Sequence, residues 1–354
     1  MSESTSLPDL VIKDLTVRYK TGRGVLTAVD HVSLEIEAGK TLGLVGESGC
    51  GKSSLGRTIV GLQRADSGSM HLGRQDFGQL VNGASKRERR AVQMIFQDPL
   101  SALDPRQRIG RALSTPLSVH GIGTRATRRE KVEEALADVG MPVASAGRLP
   151  HELSGGQRQR VNIARALILE PTLVVCDEPV SALDVSLQAQ VLNLLSDLQR
   201  RHGIAYLFIS HDLAVIGHLA DSIAVMYLGA IVERLPRESL WNGALHPYTQ
   251  LLIDSVPRAS RSASRNAAKQ QVAVTGGDLP SAYSVPGGCR FRSRCPHAMP
   301  RCSTDTPELN EHAPGHAVAC HLYADAGTGL IQTLHGPLGA APPEPLNLAF
   351  DGHA

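Results

Sequence analysis

The sequence has no stretch of about 18 uncharged apolar residues, the minimum that reads as a bilayer-spanning helix. Its most apolar region, 214–232, is interrupted by His218 and Asp221. The opening residues, Met1–Asp9, are polar and lack an apolar signal core. A cytosolic chain is therefore expected, one whose six cysteines form no disulfide framework. Charge of one sign is also missing. With 36 basic and 34 acidic residues the net charge is +2, which argues against nucleic acid as a partner and against an acidic tail. Aromatic residues are scarce, at 3%, and no internal repeat is visible. What remains is ordinary for a globular protein: 354 residues, 42% apolar and 20% charged, enough for two domains or for one domain with an appendage.

The most informative stretch runs from Gly46 through Glu47, Ser48, Gly49, Cys50, Gly51, Lys52 and Ser53 to Ser54. It has the form GxxxxGK[ST]. The apolar run Thr41–Val45 before it reads as a buried strand, and Lys52–Gln63 after it reads as a helix. Glycines let backbone N–H groups converge on an anion, and the helix N-terminus adds partial positive charge. Lys52 is expected to reach the β- and γ-phosphates of a nucleotide, and the Ser53 hydroxyl to bind Mg²⁺. A second apolar run, Leu173–Cys176, ends in Asp177 and Glu178. Placed at a strand end facing the phosphate loop, Asp177 would hold Mg²⁺ through water and Glu178 would serve as general base toward the attacking water. A second anion site is expected at Ser154, Gly155, Gly156 and Gln157, where two glycines and a capping serine precede a helix from about 156 to 169.

Around these motifs the chain alternates strand and helix, with the helix Val185–Arg200 and the strand Ala205–Ile209 completing the pattern. A mostly parallel α/β sheet with helices on both faces follows. Ahead of the phosphate loop, short β-like runs at Leu10–Ile12, Leu15–Tyr19, Ala28–Val29 and Val32–Ile36 suggest an antiparallel layer. Residues of about 100–160 suggest an inserted helical subdomain, with helices over Gly110–Val119 and Arg128–Val139. From Pro257 the composition changes. Residues 258–270 read as a linker, and 324–354 as a loose tail. Between them Cys289, Cys295, Cys302 and Cys320 fall in an irregular Pro/Gly-rich segment. Such a segment buries too little to order itself, and four thiolates suggest a metal or cluster staple. The spacing matches no common CxxC zinc site, a [4Fe–4S] cluster is equally open, and so are four free thiols.

The motif Leu153-Ser154-Gly155-Gly156-Gln157, on a chain that also carries the phosphate loop, resembles the ATP-binding subunits of ABC transporters over about residues 8–255. The resemblance implies that Tyr19 stacks on adenine and that Gln97 touches Mg²⁺ and couples to the membrane subunits. It further implies that Asp184 lies at a dimer interface and that His211 contacts the γ-phosphate. It implies a head-to-tail dimer, in which Ser154–Gln157 of one subunit closes over the ATP of the other. Residues 256–323, with His246-Pro247-Tyr248-Thr249 just before them, resemble the C-terminal extension of oligopeptide/dipeptide importer ATPases, and within that family Tyr19-Lys20, Phe96-Gln97-Asp98-Pro99 and Leu103-Asp104-Pro105-Arg106 resemble the F-type partner. In that family a second ATP-binding subunit and two permeases complete a complex at the cytoplasmic face of the inner membrane, fed by a solute-binding protein. Related systems carry nickel or glutathione. Some members hold a [4Fe–4S] cluster on the extension, with zinc as the other metal to consider here. That centre is expected to be structural or regulatory and remote from ATP. A soluble ABC-type ATPase without a transport role is the alternative.

Overall fold

The computed structural model describes residues 8–73, 75–76, 86–98, 102–256, 283 and 285–324. The expected linker at 258–270 and nearly all of the expected tail lie outside these residues. The described residues divide into two compact units. One comprises those of 1–17, 31–42 and 53–209; the other comprises those of 18–30, 43–52 and 210–354.

The N-terminal layer is built from fewer and longer strands than the sequence pattern suggests. Strand β1 spans Pro8–Thr21 and β2 spans Gly24–Glu37. The polar residues that look like breaks are irregularities within these strands. Asp14 and His31 have positive φ, 54° and 52°. Their side chains meet, His31 Nδ1 to Asp14 Oδ1 at 2.6 Å, and the Asp14 N–H donates to the Ser33 hydroxyl. The register of β1 against β4 (Ser67–Leu72) shifts between Lys13 and Thr16. A bulge of this kind bends a strand without ending it. A two-residue strand, β5 (Gln75–Asp76), completes the sheet in the order β2-β1-β4-β5.

The first unit also holds the parallel strands β6 (Val92–Ile95), β7 (Leu173–Asp177) and β8 (Ala205–Ser210), with the start of β3 (Thr41–Val45) beside β8. Every residue of β3, β7 and β8 is buried, as expected of strands covered on both faces. Helix α1 covers Lys52–Ile59 and ends four residues earlier than its apolar pattern implies. Gly61 adopts φ +74°, and the Leu62 N–H closes back on the Arg57 carbonyl, which terminates the helix. A short helix, α2 (Lys86–Ala91), leads into β6.

The helical insertion contains α3 (Ile109–Val119) and α4 (Arg125–Asp138). Helix α4 starts three residues before the expected point because Thr124 and Thr127 form a reciprocal cap. Helix α5 (Gly155–Leu167) precedes β7, and α6 (Val185–His202) follows it, ending at Gly203 with φ +63°.

In the second unit the end of β3 lies beside β9 (Ser222–Tyr227), followed by β10 (Ala230–Pro236), β12 (His316–Val318) and β11 (Asn310–Ala313). Helices α7 (Leu213–Leu219), α8 (Leu240–Gly243) and α9 (Pro247–Asp254) connect these strands. The cysteine segment thus contributes two strands to a core sheet. Antiparallel pairing of Glu233 with Val318 and of Arg234 with Ala317 fixes their register. Glu233 is completely buried and holds the arrangement together. Its carboxylate accepts from the Leu245 N–H at 2.6 Å and the His246 N–H at 3.1 Å, and meets His316 Nε2 at 2.8 Å.

Candidate functional site

The phosphate loop of the second unit turns on two glycines that no other residue could replace without a shift. A Cβ on Gly46 would stand 2.2 Å from the Met226 carbonyl oxygen, and one on Gly51 would stand 2.0 Å from that of Ala28. Both have positive φ, +155° and +112°. The loop wraps Lys52, a residue only 5% exposed. Lys52 Nζ donates to the carbonyls of Gly46 at 2.7 Å and Glu47 at 3.0 Å, and sits 3.8 Å from Cys50 Sγ. A lysine held on loop carbonyls is already placed for an arriving phosphate to take over its hydrogen bonds. Ser48 and Gly49 form the exposed tip. Burial pushes the Cys50 thiol above its ordinary range, so it stays neutral beside the lysine. In the same unit Tyr19 is half-buried near the end of β1, and His211 lies on the exposed turn after β8.

The first unit assembles the carboxylates. The Ser53 hydroxyl donates to Asp177 Oδ1 at 2.9 Å, across 124 residues of sequence. Asp177 is the last residue of β7 and is 5% exposed. The Ser54 carbonyl accepts from the Thr58 hydroxyl inside α1. Glu178 follows with φ +46°, a rare conformation for a side chain with a Cβ and one that clusters at functional sites. Its N–H donates to the Ile209 carbonyl, and its Oε2 accepts from Gln97 Nε2 at 2.9 Å. Ser53 with Asp177 and Gln97 with Glu178 are therefore in direct contact, pairings that sequence reasoning did not name although it singled out all four residues. The oxygens Ser53 Oγ and Asp177 Oδ1 form a hard donor set of the type Mg²⁺ takes.

Ser154 caps α5: its hydroxyl accepts from the Gln157 N–H at 3.3 Å, and Gln157 Oε1 accepts from the Ser154 N–H at 3.1 Å. Ser154 and Gly155 are exposed, whereas Gly156 packs under Leu187. Asp184 caps α6. The Leu187 N–H and the Ser186 hydroxyl hold its carboxyl below the usual carboxylate range. An open cleft of about 210 Å³ in this unit is lined by Leu62, Met94, Phe96, Pro116 and Arg165 among others, with Leu62 62% exposed.

The four C-terminal cysteines, up to 31 residues apart in sequence, line one small cavity together with His246, Phe291 and His321. Burial pushes the Cys289, Cys295 and Cys320 thiols up, Cys320 to about 12, and each also feels the charge of other cysteines in the set. Among the described residues no three His, Cys, Asp or Glu side chains are gathered tightly enough to hold a single metal ion. The segment that carries the cysteines also reaches the phosphate loop. Arg294, between the first two cysteines, donates from both terminal nitrogens to the Glu47 carboxylate of the phosphate loop, at 2.7 and 2.8 Å. The Tyr248 hydroxyl accepts the Glu47 N–H at 2.8 Å. No local motif pairs either residue with Glu47, since the partners are 247 and 201 residues apart.

Comparison with known proteins accounts for both halves of this pattern. The ABC transporter family profile matches residues 29–181, and the oligopeptide/dipeptide transporter C-terminal region matches 232–302. The chain is 48% identical over 302 residues to the oligopeptide transport ATP-binding protein AppF of Bacillus subtilis (strain 168), covering 85% of this chain and 91% of that protein. It belongs to the oligopeptide/dipeptide family of ABC transporter ATP-binding proteins. A putative peptide import ATP-binding protein of Brucella abortus (strain 2308) is 50% identical over 315 residues, covering 88% of this chain and 91% of its own. Among solved structures, a dimeric ATP-binding cassette in a post-hydrolysis state with ADP and Pi aligns with a TM-score of 0.58 at 26% identity. It covers 64% of this chain and 98% of its own. This ABC protein is an ATP-hydrolysing enzyme that uses ATP and Mg²⁺. Among its described residues no helix is long and apolar enough to cross a membrane.

Proposed function

We propose that this ATPase is the F-type energy-coupling subunit of an importer for di- or oligopeptides, at the cytoplasmic face of the inner membrane. It pairs there with a second ATP-binding subunit beneath two permeases, and a solute-binding protein delivers the peptide. The observation that carries the reading is the union, on one chain, of the Ser53–Asp177 and Gln97–Glu178 contacts with the oligopeptide-type C-terminal region. Relatives named for peptide import support the solute class.

In this reading the Gly46–Ser54 loop cradles the phosphates with backbone N–H groups other than that of Glu47, which Tyr248 holds, and Lys52 leaves its loop carbonyls for the β- and γ-phosphates. Ser53, Asp177 and Gln97 would hold Mg²⁺, which offsets phosphate charge when bound. Glu178 accepts the proton of the attacking water once Gln97 releases its carboxylate. Tyr19 stacks on the adenine, and His211 contacts the γ-phosphate. Exposed Ser154 and Gly155 at the α5 N-terminus suit a second role, closing over the ATP of the partner subunit beside Asp184. Donors that meet the γ-phosphate in a dry interface favour the closed dimer, and hydrolysis removes that ligand. The cleft beneath Leu62 and Phe96, one residue before Gln97, suits a short permease segment. Movement there would be felt at Gln97.

The reading extends to the cysteine centre, where Cys289, Cys295, Cys302 and Cys320 hold a [4Fe–4S] cluster. A shared cavity lined by all four supports it. When bound, the cluster ties four points of the segment together. Two experiments test the proposal. Co-expressed with its partner ATPase and permeases in proteoliposomes, the chain should hydrolyse ATP faster when peptide-loaded binding protein is added. Peptide-independent turnover would remove the importer assignment. Anaerobically purified chain should be brown, with iron and sulfide near four each per molecule; colourless protein with one zinc would select the zinc site.

A further inference from the structure

Glu47 is the residue through which the C-terminal segment reaches the phosphate loop, and all three of its polar groups are engaged. Its N–H goes to Tyr248 of α9, its carbonyl takes Lys52, and its carboxylate takes Arg294. The two-point contact is well shielded, with the Arg294 side chain 10% exposed and that of Glu47 23% exposed. Arg294 belongs to the loop between Cys289 and Cys295. That loop is pinned at three places. Phe291, 1% exposed, packs against Tyr227, Tyr248 and His246 with ring centroids 5.4, 5.5 and 5.8 Å away. The Cys289 N–H donates to the Cys302 carbonyl at 2.9 Å. Arg290 donates to the Asp30 carboxylate and the Leu228 carbonyl.

A carboxylate in a phosphate loop has an electrostatic consequence. The ligand is a polyanion, so an uncompensated charge on Glu47 would repel it at short range where screening is weak. A bidentate guanidinium both cancels that charge and fixes its direction. We propose that Arg294 is a positioning residue for ATP binding: it neutralises Glu47 and turns it away from the phosphates. The cysteine loop thereby sets the nucleotide affinity of the phosphate loop. The inference rests on the ATP-binding role of the loop and is independent of what the four cysteines hold.

The test uses the full chain and equilibrium titration with Mg·ATP and with Mg·ADP. Arg294→Ala should weaken ATP binding about tenfold, equal to about 1.4 kcal/mol. The loss for ADP should be smaller, because ADP carries less charge. Arg294→Gln should show the same loss as Arg294→Ala, and Arg294→Lys, which keeps the charge but loses the fork, should retain most of the affinity. The deciding variant is Arg294→Ala with Glu47→Gln, which removes the stranded carboxylate and should recover affinity to within about threefold of the parent chain. A mere structural brace would predict no such recovery and equal losses for ATP and ADP. Unchanged ATP affinity in Arg294→Ala and Arg294→Gln, or a double variant as weak as the single one, would overturn the proposal.

Discussion

Acid should loosen α9 and the phosphate-loop support it provides, through one histidine. His246 is 1% exposed and caps α9 with Nδ1, which accepts the Tyr248 N–H at 3.0 Å. That role requires a neutral ring. Burial pulls the imidazole down from 6.5 to about 4, and the neighbouring Glu233 carboxylate only partly opposes the shift. An unfolded chain therefore takes up a proton at pH 5 that the folded chain refuses. The contribution is complete above about pH 6.5 and is lost as the pH falls toward 4. A gap of about 2.5 pH units, at 1.36 kcal/mol each, corresponds to roughly 3 kcal/mol. Amide hydrogen exchange across 247–254, corrected for intrinsic rates, should report this loss in the wild type between pH 6.5 and 4. In His246→Asn, which can still accept the Tyr248 N–H but does not titrate, the dependence should flatten by about that amount. Equal pH slopes for wild type and variant would refute the reasoning.

At the reacting end, Glu178→Gln should bind ATP yet lose turnover by about 10²- to 10⁴-fold, since an amide cannot accept the proton; near-normal steady-state hydrolysis in the assembled transporter would contradict the general-base role. Gly51→Ala forces a Cβ to 2.0 Å from the Ala28 carbonyl at φ +112°, so nucleotide affinity should fall more than about tenfold, and an unchanged dissociation constant would refute the steric account. For Gly155→Asp, a Cβ at this exposed position would meet only Leu183 Cδ2, at 3.9 Å, an ordinary van der Waals contact. Its carboxylate would face the partner's γ-phosphate, so the isolated chain should still take up ATP while ATP-dependent dimerisation fails; loss of ATP binding by the monomer would place the loop in cis.

The residues that act through backbone and local sequence were readable without a structure. Gly46, Gly51 and Lys52 announce a phosphate loop because its chemistry needs those types at that spacing, and the helix start at Ser154–Gln157 was legible from its capping serine. The place of Asp177 and Glu178 at a strand end was legible because an apolar run stops at two acids. Local pattern misled where tertiary contact decides the outcome. Asp14 and His31 look like strand breaks but form a bulge pair, and α1 stops at Gly61 although its apolar pattern continues. Glu47 shows the deeper limit. Its place in the motif marks it as a residue of the nucleotide loop, and its backbone does hold Lys52. Its carboxylate, however, turns to an arginine 247 residues away, in a segment whose own pattern speaks only of cysteines. No periodicity links the two, because the bond depends on β12 pairing with β10 and on Phe291 entering the aromatic cluster of Tyr227 and Tyr248. The cysteine spacing that suggests a remote staple thus sits on the loop that delivers Arg294 to the phosphate loop, and whatever orders that loop also sets the charge an incoming nucleotide meets.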